Sequence, residues 1–174
     1  GGGGPIVRGR VAYCSQVPWI VAGSVRENIV FGSPWDEQWY GAVVRACCLT
    51  DDLAGLPAGD ATELGERGVN LSGGQKARVA LARACYSRPA VALLDDPLSA
   101  VDPRVGRDLF SGAIGPGGLL AACGATRLLV THQRQYLPKC DRVLVLRGGA
   151  VAALGPWRQV AELKLPELTA GHGG

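Results

Sequence analysis

What the sequence lacks sets the first limits on its interpretation. None of its 174 residues is methionine, not even residue 1, which predicts an incomplete reading frame. No apolar run reaches the roughly 18 residues of a membrane helix, because the nearest candidate, 113–130, is interrupted by glycines, Pro116 and Arg127. The chain starts with a glycine run instead of a charged segment followed by an apolar one, so we expect no signal peptide.

The cysteines lack the patterns of a metal site or a disulfide framework. Six are present, but no C-x-x-C pair occurs, and the adjacent Cys47 and Cys48 have poor geometry for a bond to each other. These spacings argue against zinc and for a reduced domain that faces the cytosol. The formal net charge of +3 is too small to indicate nucleic acid or anionic lipid as a partner.

The sequence contains enough apolar residues for one hydrophobic core, and it contains a short loop with two glycines. With 47% hydrophobic and 19% charged residues, the chain suits one domain or a large part of one. In Leu71–Gln75, Ser72 is a good helix N-cap, and two glycines leave backbone N–H groups accessible. Lys76 to Ser87 has helical periodicity, which ends before Pro89. The combination predicts an anion site, typically for phosphate, although a simple capped helix is the alternative for this loop alone.

Two carboxylates follow the next apolar run. Residues 90–94 are typical of a buried strand, and Asp95 and Asp96 end it. Carboxylates at that end of a strand lie in the crevice where α/β sheets bind ligands. A second apolar strand, 127–130, leads to Thr131 and His132. A histidine at a strand end is often only a satisfied polar residue, so its interpretation depends on the other segments.

Together these segments resemble the nucleotide-binding domain of an ABC transporter. They match, in the family order, the Q-loop at Gln16, the signature loop at Leu71–Gln75, the Walker B strand at Val91–Asp95, the D-loop at Ser99–Asp102 and the switch histidine at His132. The resemblance implies an α/β fold with a P-loop NTPase-like core, mostly a parallel sheet flanked by helices, and an inserted α-helical signature subdomain. It also implies ATP and Mg²⁺ as cofactors.

The resemblance implies a role for each matching residue. Asp95 would hold Mg²⁺, with Gln16 as a second polar contact to the metal or to the attacking water. Asp96 stands at the position of the general base, and His132 would contact the terminal phosphate. The residues expected to contact ATP are Gln16, Leu71, Ser72, Gly73, Gly74, Gln75, Ser99 and Asp102.

Two features depart from the usual family pattern. The phosphate loop G-x-x-x-x-G-K-[ST] occurs nowhere in the sequence, so we expect the chain alone to be inactive. Asp96 replaces the usual glutamate and is one methylene shorter. The string from Asp95 to Asp102 resembles the first nucleotide-binding domain of the C subfamily, the multidrug-resistance-associated proteins. In that subfamily the first domain's own site is slow, and its signature loop serves the site of the partner domain.

The resemblance also divides the chain and implies its partners. Residues 33–87 match the helical subdomain, 1–32 and 88–163 supply core pieces, and 164–174 are expected to form a loose tail. The expected partners are a second nucleotide-binding domain in a head-to-tail dimer and the coupling helices of transmembrane domains, received by about Pro18–Phe31. The implied location is at a membrane, facing the cytosol, and the implied cargo is organic anions or conjugates.

Two other function classes stay open. A soluble ABC ATPase of the chromosome or repair type would place a long coiled coil between Gln16 and Leu71, and no heptads occur there. A truncated, non-catalytic interaction module derived from an ABC domain is compatible with the missing phosphate loop. For the apolar residues of Pro18–Phe31, ordinary packing within a small helical subdomain is the alternative to a docking role.

Overall fold

The computed structural model describes residues 8–65 and 69–169. Parts of the predicted core, helical subdomain and tail lie outside these residues, at positions 1–7, 66–68 and 170–174. Throughout the described ranges, no helix combines the length and apolar character that crossing a membrane requires.

The first of two compact units, Gly1–Thr131, contains the sheet that carries the predicted carboxylates. Its strands are β1 (Val11–Cys14), β2 (Gly23–Ser24), β3 (Glu63–Leu64), β4 (Val91–Asp95) and β5 (Thr126–Val130). Its helices are α1 (Val25–Val30), α2 (Glu37–Ala46), α3 (Thr50–Gly55), α4 (Gly73–Tyr86), α5 (Pro103–Leu109), which continues as a π-helical turn, Phe110–Ile114, and α6 (Leu119–Ala122).

The main sheet is parallel and has the strand order β1-β4-β5. Cys14 is paired with Leu94, and Asp95 with Val130. Parallel strands end at the same edge, so the residues after Cys14 and the carboxylates after Leu94 lie along one edge of the sheet. A parallel sheet with flanking helices confirms the predicted α/β fold class.

The side chains on the two faces of this sheet differ in how far they are buried. Ala12, Cys14, Ala92 and Leu94 point to one face and are buried. On the opposite face, strand alternation places four apolar side chains that stay exposed. Their exposed fractions are Val11 47%, Tyr13 59%, Leu128 55% and Val130 51%. Parallel sheets are normally covered on both faces, so a face that carries four exposed apolar side chains is unusually open to solvent; we call it the bare face.

Helix α4 packs against β1, α1 and α2. Small and branched residues line its inner side, and Val79, Leu81 and Cys85 are almost completely buried. The helix ends at Tyr86, and Arg88 takes a left-handed conformation with φ of 45° just before Pro89. This end confirms the predicted stop, since the residue before proline avoids the helical region.

The second unit, His132–Gly174, is built on a hairpin. It comprises a 3₁₀ segment, Arg134–Lys139, strands β6 (Val143–Arg147) and β7 (Ala150–Gly155), and helices α7 (Trp157–Glu162) and α8 (Pro166–Thr169). Its core contains Val143, Val145, Ala153 and Val160. The described part of the predicted tail contains α8, and the guanidinium of Arg147 donates to the carboxylate of Glu167 at 2.6 and 2.8 Å.

Candidate functional site

The predicted signature loop leads directly into α4. Ser72 is the N-cap, and its Oγ accepts a hydrogen bond from the Gln75 backbone N–H at 3.2 Å. The Gln75 side chain accepts one in return from the Ser72 backbone N–H at 2.9 Å, which completes a capping box. Leu71 is buried and anchors the loop, whereas Ser72 and Gly73 are exposed. The loop thus presents a hydroxyl and helix-terminal N–H groups to solvent.

A polar network attaches the loop to α3. The Gln75 side-chain amide donates to Asp52 Oδ1 at 3.0 Å. Arg78 Nη2 lies 2.9 Å from the same oxygen and 2.7 Å from Oδ2. The side chains of Arg78 and Asp52 expose only 14% and 18% of their surface, so this ion pair is poorly screened by water. It fixes the side chain that in turn caps the signature helix.

The two signature glycines have different surroundings. A Cβ added to Gly74 would lie 3.0 Å from the carbonyl oxygen of Ala100 and 3.7 Å from Val101, so the predicted D-loop packs closely over it. A Cβ added to Gly73 would meet nothing within 4 Å. The structure therefore brings the signature loop and the D-loop together through Gly74, while Gly73 borders open space.

The D-loop ends at the cap of α5. Asp102 is the N-cap, and its Oδ1 accepts from the backbone N–H groups of Arg104 and Val105 at 3.0 Å each. The Val105 N–H, followed by that of Arg104, holds the pKa of the Asp102 carboxyl below its usual value. Ser99 is exposed, and its Oγ donates to the Asp96 carbonyl oxygen at 2.9 Å. Ser99 thereby connects the D-loop to the second carboxylate.

The two predicted carboxylates occupy different environments. Asp95 is half-buried at the end of β4, and Tyr13 Oη lies 3.5 Å from its Oδ2. Asp96 is only 7% exposed, and its buried Oδ1 has no hydrogen-bond partner within residues 8–65 and 69–169. Its backbone N–H donates to Val130 O at 2.9 Å, and its φ is 46°. Aspartate tolerates this left-handed region better than most residues, so the position accommodates it with limited strain.

The structure places the remaining site residues as follows. Gln16 is exposed and comes two residues after β1 ends, on the edge that carries Asp95. His132 is exposed, two residues along the chain from the end of β5, and it begins the second compact unit. Among the described residues, the structure joins the signature loop to the D-loop at Gly74 and the D-loop to Asp96 at Ser99, and it places Gln16 near the sheet edge of Asp95. The roles of all these residues, His132 included, stay predictions.

Sequence reasoning missed Asp52 and Arg78. Arg78 lies three residues after Gln75, so a helix would place both on one side, and this signal was available. Asp52 carried no local signal, because only the tertiary packing of α3 brings it to Gln75.

The donor set at the sheet edge fits Mg²⁺. Mg²⁺ takes one or two carboxylates and fills its remaining positions with waters and phosphate oxygens. The Asp95 carboxylate and the Gln16 amide offer that chemistry. In the described part of the chain, no group of three His, Cys, Asp or Glu side chains forms a metal-binding cluster. A metal here would therefore depend on oxygens from a nucleotide or from water.

Comparison with known proteins gives one family. The ABC transporter family profile matches residues 4–99. ATP-binding cassette sub-family C member 2 of Mus musculus is 48% identical over 158 residues, which cover 91% of this chain and 10% of that protein. Multidrug resistance protein mrp-7 of Caenorhabditis elegans is 53% identical over 154 residues, 88% of this chain and 10% of that protein. ATP-binding cassette sub-family C member 3 of Mus musculus is 50% identical over 149 residues, 86% of this chain and 10% of that protein.

The chain spans about a tenth of the length of these relatives. The matches cover most of the chain, and they agree with the parallel sheet, the capped signature helix and the carboxylates at the sheet edge. The predicted resemblance is confirmed: the chain belongs to the ABC transporter family, as an ATP-binding domain similar to those of sub-family C proteins.

Proposed function

We propose that this chain serves in an ATP-hydrolysing domain of an ABC-type membrane exporter, and that its signature loop acts on ATP held by a partner domain. The partner would be a second nucleotide-binding domain in a head-to-tail dimer. The domain would face the cytosol, and the cargo would be organic anions or conjugates, by analogy with the multidrug resistance proteins that it resembles.

The observation that carries this proposal is the open space at Gly73. No group among residues 8–65 and 69–169 requires glycine there, since an added Cβ would contact none of them within 4 Å. The loop is nevertheless held rigidly by the capping box and by Asp52. A rigid, exposed helix N-terminus with a hydroxyl and free N–H groups suits a phosphate that comes from outside the chain.

The carboxylate edge would serve the second, slower ATP site of the dimer. When bound there, Mg²⁺ would neutralise charge on the phosphate oxygens, and Asp95 with Gln16 would hold it. Asp96 would orient the attacking water and accept its proton, but its shorter side chain places the carboxylate farther back than glutamate would. A poorly placed base costs on the order of 10² to 10⁴ in rate. His132 would donate to the terminal phosphate.

The coupling helices would bind to an apolar surface that follows the Q-loop. Four side chains of this docking surface are exposed: Val17 79%, Trp19 42%, Val21 37% and Phe31 50%. Such a cluster indicates an interaction site more than ordinary packing within the domain. It begins one residue after Gln16, so a partner on this surface would lie next to the carboxylate edge.

The decisive experiment is Gly73→Asp in the transporter that carries this chain. Aspartate at the first helical position favours the helix through its charge, so the fold should be retained or slightly stabilised. The same charge would repel a phosphate, and we expect ATP turnover to fall by about 10²-fold or more. Steady-state ATPase rates of the purified protein in lipid would measure this effect.

Gly117→Asp is the matched control, because an added Cβ at Gly117 also meets nothing within 4 Å. It should leave turnover unchanged. Equal turnover in the Gly73→Asp variant and the unsubstituted protein would disprove the role in trans. It would favour the alternative of a non-catalytic interaction module.

A further inference from the structure

Arg83 lies in the last turn of α4 and contacts two aromatic residues of the docking surface. Its guanidinium carbon is 3.7 Å from the ring centroid of Trp19 and 5.0 Å from that of Phe31. The two rings meet edge to face, with centroids 5.3 Å apart. The guanidinium therefore packs against both rings of an exposed aromatic pair.

Hydrogen bonds hold the guanidinium in place. Its Nε donates to the carbonyl oxygen of Asn28 at 2.7 Å, Nη2 donates to Asn28 Oδ1 at 2.9 Å, and Nη1 donates to Trp19 O at 3.2 Å. All acceptors belong to α1 or to the segment before it, whereas Arg83 belongs to α4. The side chain thus links two separate segments of the fold in one fixed orientation.

Asn28 makes this link rigid. It is fully buried, and its Oδ1 accepts from the Val21 backbone N–H at 3.0 Å as well as from Arg83. Its Nδ2 donates to the carbonyl oxygens of Val21 and Ser24 at 3.0 Å each. Every hydrogen-bonding position of this amide is occupied, so the backbone of the docking surface is bound to α1 and through Arg83 to α4.

In the part of the chain that the structure describes, the guanidinium of Arg83 forms no ion pair with a carboxylate. Its polar contacts are to carbonyl and amide oxygens, and burial lowers the pKa of the guanidinium to about 10, so it stays charged at neutral pH. A charged side chain that is more than half buried is costly to keep without a carboxylate. Packing alone would favour an aliphatic residue at this place.

Helix α4 connects this contact to the signature loop. Arg83 follows Ser72 by eleven residues, which corresponds to about 16 Å along the helix axis. We propose that Arg83 is a positioning residue that fixes Trp19 and Phe31 of the docking surface to the signature helix, so that a shift of one displaces the other. This inference rests on the proposed function only where it takes the surface as the site of a coupling helix.

The local part of the inference can be tested on the chain itself. Its four tryptophans would be labelled with 5-fluorotryptophan, and each ¹⁹F resonance would be assigned by replacing one tryptophan with phenylalanine. Arg83→Gln should shift and broaden the Trp19 signal and leave the Trp39 signal in place. Arg83→Lys keeps the charge and most of the stem but loses the planar fork, and it should also release Trp19.

Arg88 offers a matched control. Its guanidinium lies 4.6 Å from the centroid of Trp39, so Arg88→Gln should move the Trp39 signal and not that of Trp19. An unchanged Trp39 signal in the Arg83 variants also shows that they fold. A Trp19 signal that does not respond to either Arg83 variant would overturn the inference.

The functional part requires the transporter that carries the chain. Arg83→Gln should keep basal ATP turnover but lower its stimulation by transported substrate about fivefold or more, since only the link to the docking surface is lost. Full stimulation despite a displaced Trp19 would overturn the inference and leave the proposed function intact. The proposed function itself is tested separately, by Gly73→Asp, because that variant does not touch the docking surface.

Discussion

The signature loop and the carboxylate edge of the sheet differ in how completely this chain builds them. At the signature loop most neighbouring groups are paired: Leu71 is buried, Gln75 is held by Asp52, and Gly74 packs under the D-loop, while Nε of Arg78 is buried with no hydrogen-bond partner among the described residues. At the carboxylate edge one face of the sheet is bare, and a carboxylate oxygen of Asp96 is buried without a partner.

This difference indicates that the signature loop is ready to bind a ligand, whereas the carboxylate edge is not. A preorganised loop can act on a ligand brought by a partner, since its geometry does not depend on that partner. The carboxylates instead would need the phosphate oxygens of a nucleotide, and the described residues leave the adjacent sheet face exposed.

The largest predicted effect is a difference in the free energy of unfolding between substitutions on the two faces of the sheet. Leu94 is 1% exposed on the covered face, and Leu128 is 55% exposed on the bare face of the neighbouring strand. We expect Leu94→Ala to lower the free energy of unfolding by about 2–5 kcal/mol. Leu128→Ala should change it by less than about 0.5 kcal/mol, as at other exposed positions. Urea unfolding of both variants, followed by circular dichroism, measures the difference.

Similar losses in both variants would contradict this prediction. They would mean that the face of Val11, Tyr13, Leu128 and Val130 is covered in solution, for example by self-association. Sedimentation of the unsubstituted chain at several concentrations would identify that case.

Much of this architecture could be predicted from the sequence, for a physical reason. The signature helix and the Walker B strand are specified locally, by a cap, a periodicity and a proline, so their bounds follow from a few neighbouring residues. The parallel pairing of β1, β4 and β5 is not local and was expected only because the family has it. The bareness of one face could not be predicted, because the alternation in Val11–Cys14 is also compatible with a fully covered strand.

The second prediction contrasts the two signature glycines. In Gly74→Ala the new methyl group would lie 3.0 Å from the carbonyl oxygen of Ala100, and we expect a loss of about 1–3 kcal/mol. In Gly73→Ala the methyl group meets nothing, and the higher helix propensity of alanine should raise stability by up to about 1 kcal/mol.

Thermal or urea unfolding distinguishes the two glycine variants, and ATP turnover of the transporter adds a second criterion. Gly73→Ala should weaken turnover although it does not destabilise the chain. If Gly73→Ala destabilised the fold as much as Gly74→Ala, contacts within the chain itself would explain why glycine is required at both positions. The inference of an outside ligand at Gly73 would then lose its basis.

The third prediction concerns the ion pair behind the signature loop. Asp52→Asn would leave the largely buried Arg78 without its ion-pair partner, and we expect a loss of roughly 1–2 kcal/mol, less than for a fully buried pair. Asp51 precedes it on α3 and is exposed, so Asp51→Asn is the matched control and should be nearly neutral. Amide hydrogen exchange at residues 72–76 should also become faster in the Asp52 variant alone.

An unchanged exchange rate in the Asp52 variant would show that the capping box holds the loop by itself. The role of Asp52 also could not be predicted from the sequence. The capping box of Ser72 and Gln75 can be recognised from a spacing of three residues, whereas Gln75 and Asp52 are 23 residues apart and meet only in the folded chain.

The smallest effect should come from the carboxylate edge itself. Oδ1 of Asp96 is buried with no hydrogen-bond partner among the described residues, and a buried polar oxygen without a partner destabilises the fold. Asparagine has the same size and tolerates a φ of 46° equally well, but it carries no charge. We therefore expect Asp96→Asn to stabilise the chain by about 0.5–1 kcal/mol while it lowers any hydrolysis at this edge.

Asp95→Asn should give no such gain, because Asp95 is half-buried and has Tyr13 beside it. Equal stability of the Asp96 variant and the unsubstituted chain would mean that water already satisfies this oxygen. The carboxylate edge would then be as complete as the signature loop, and the contrast between the two regions would rest on the bare sheet face alone.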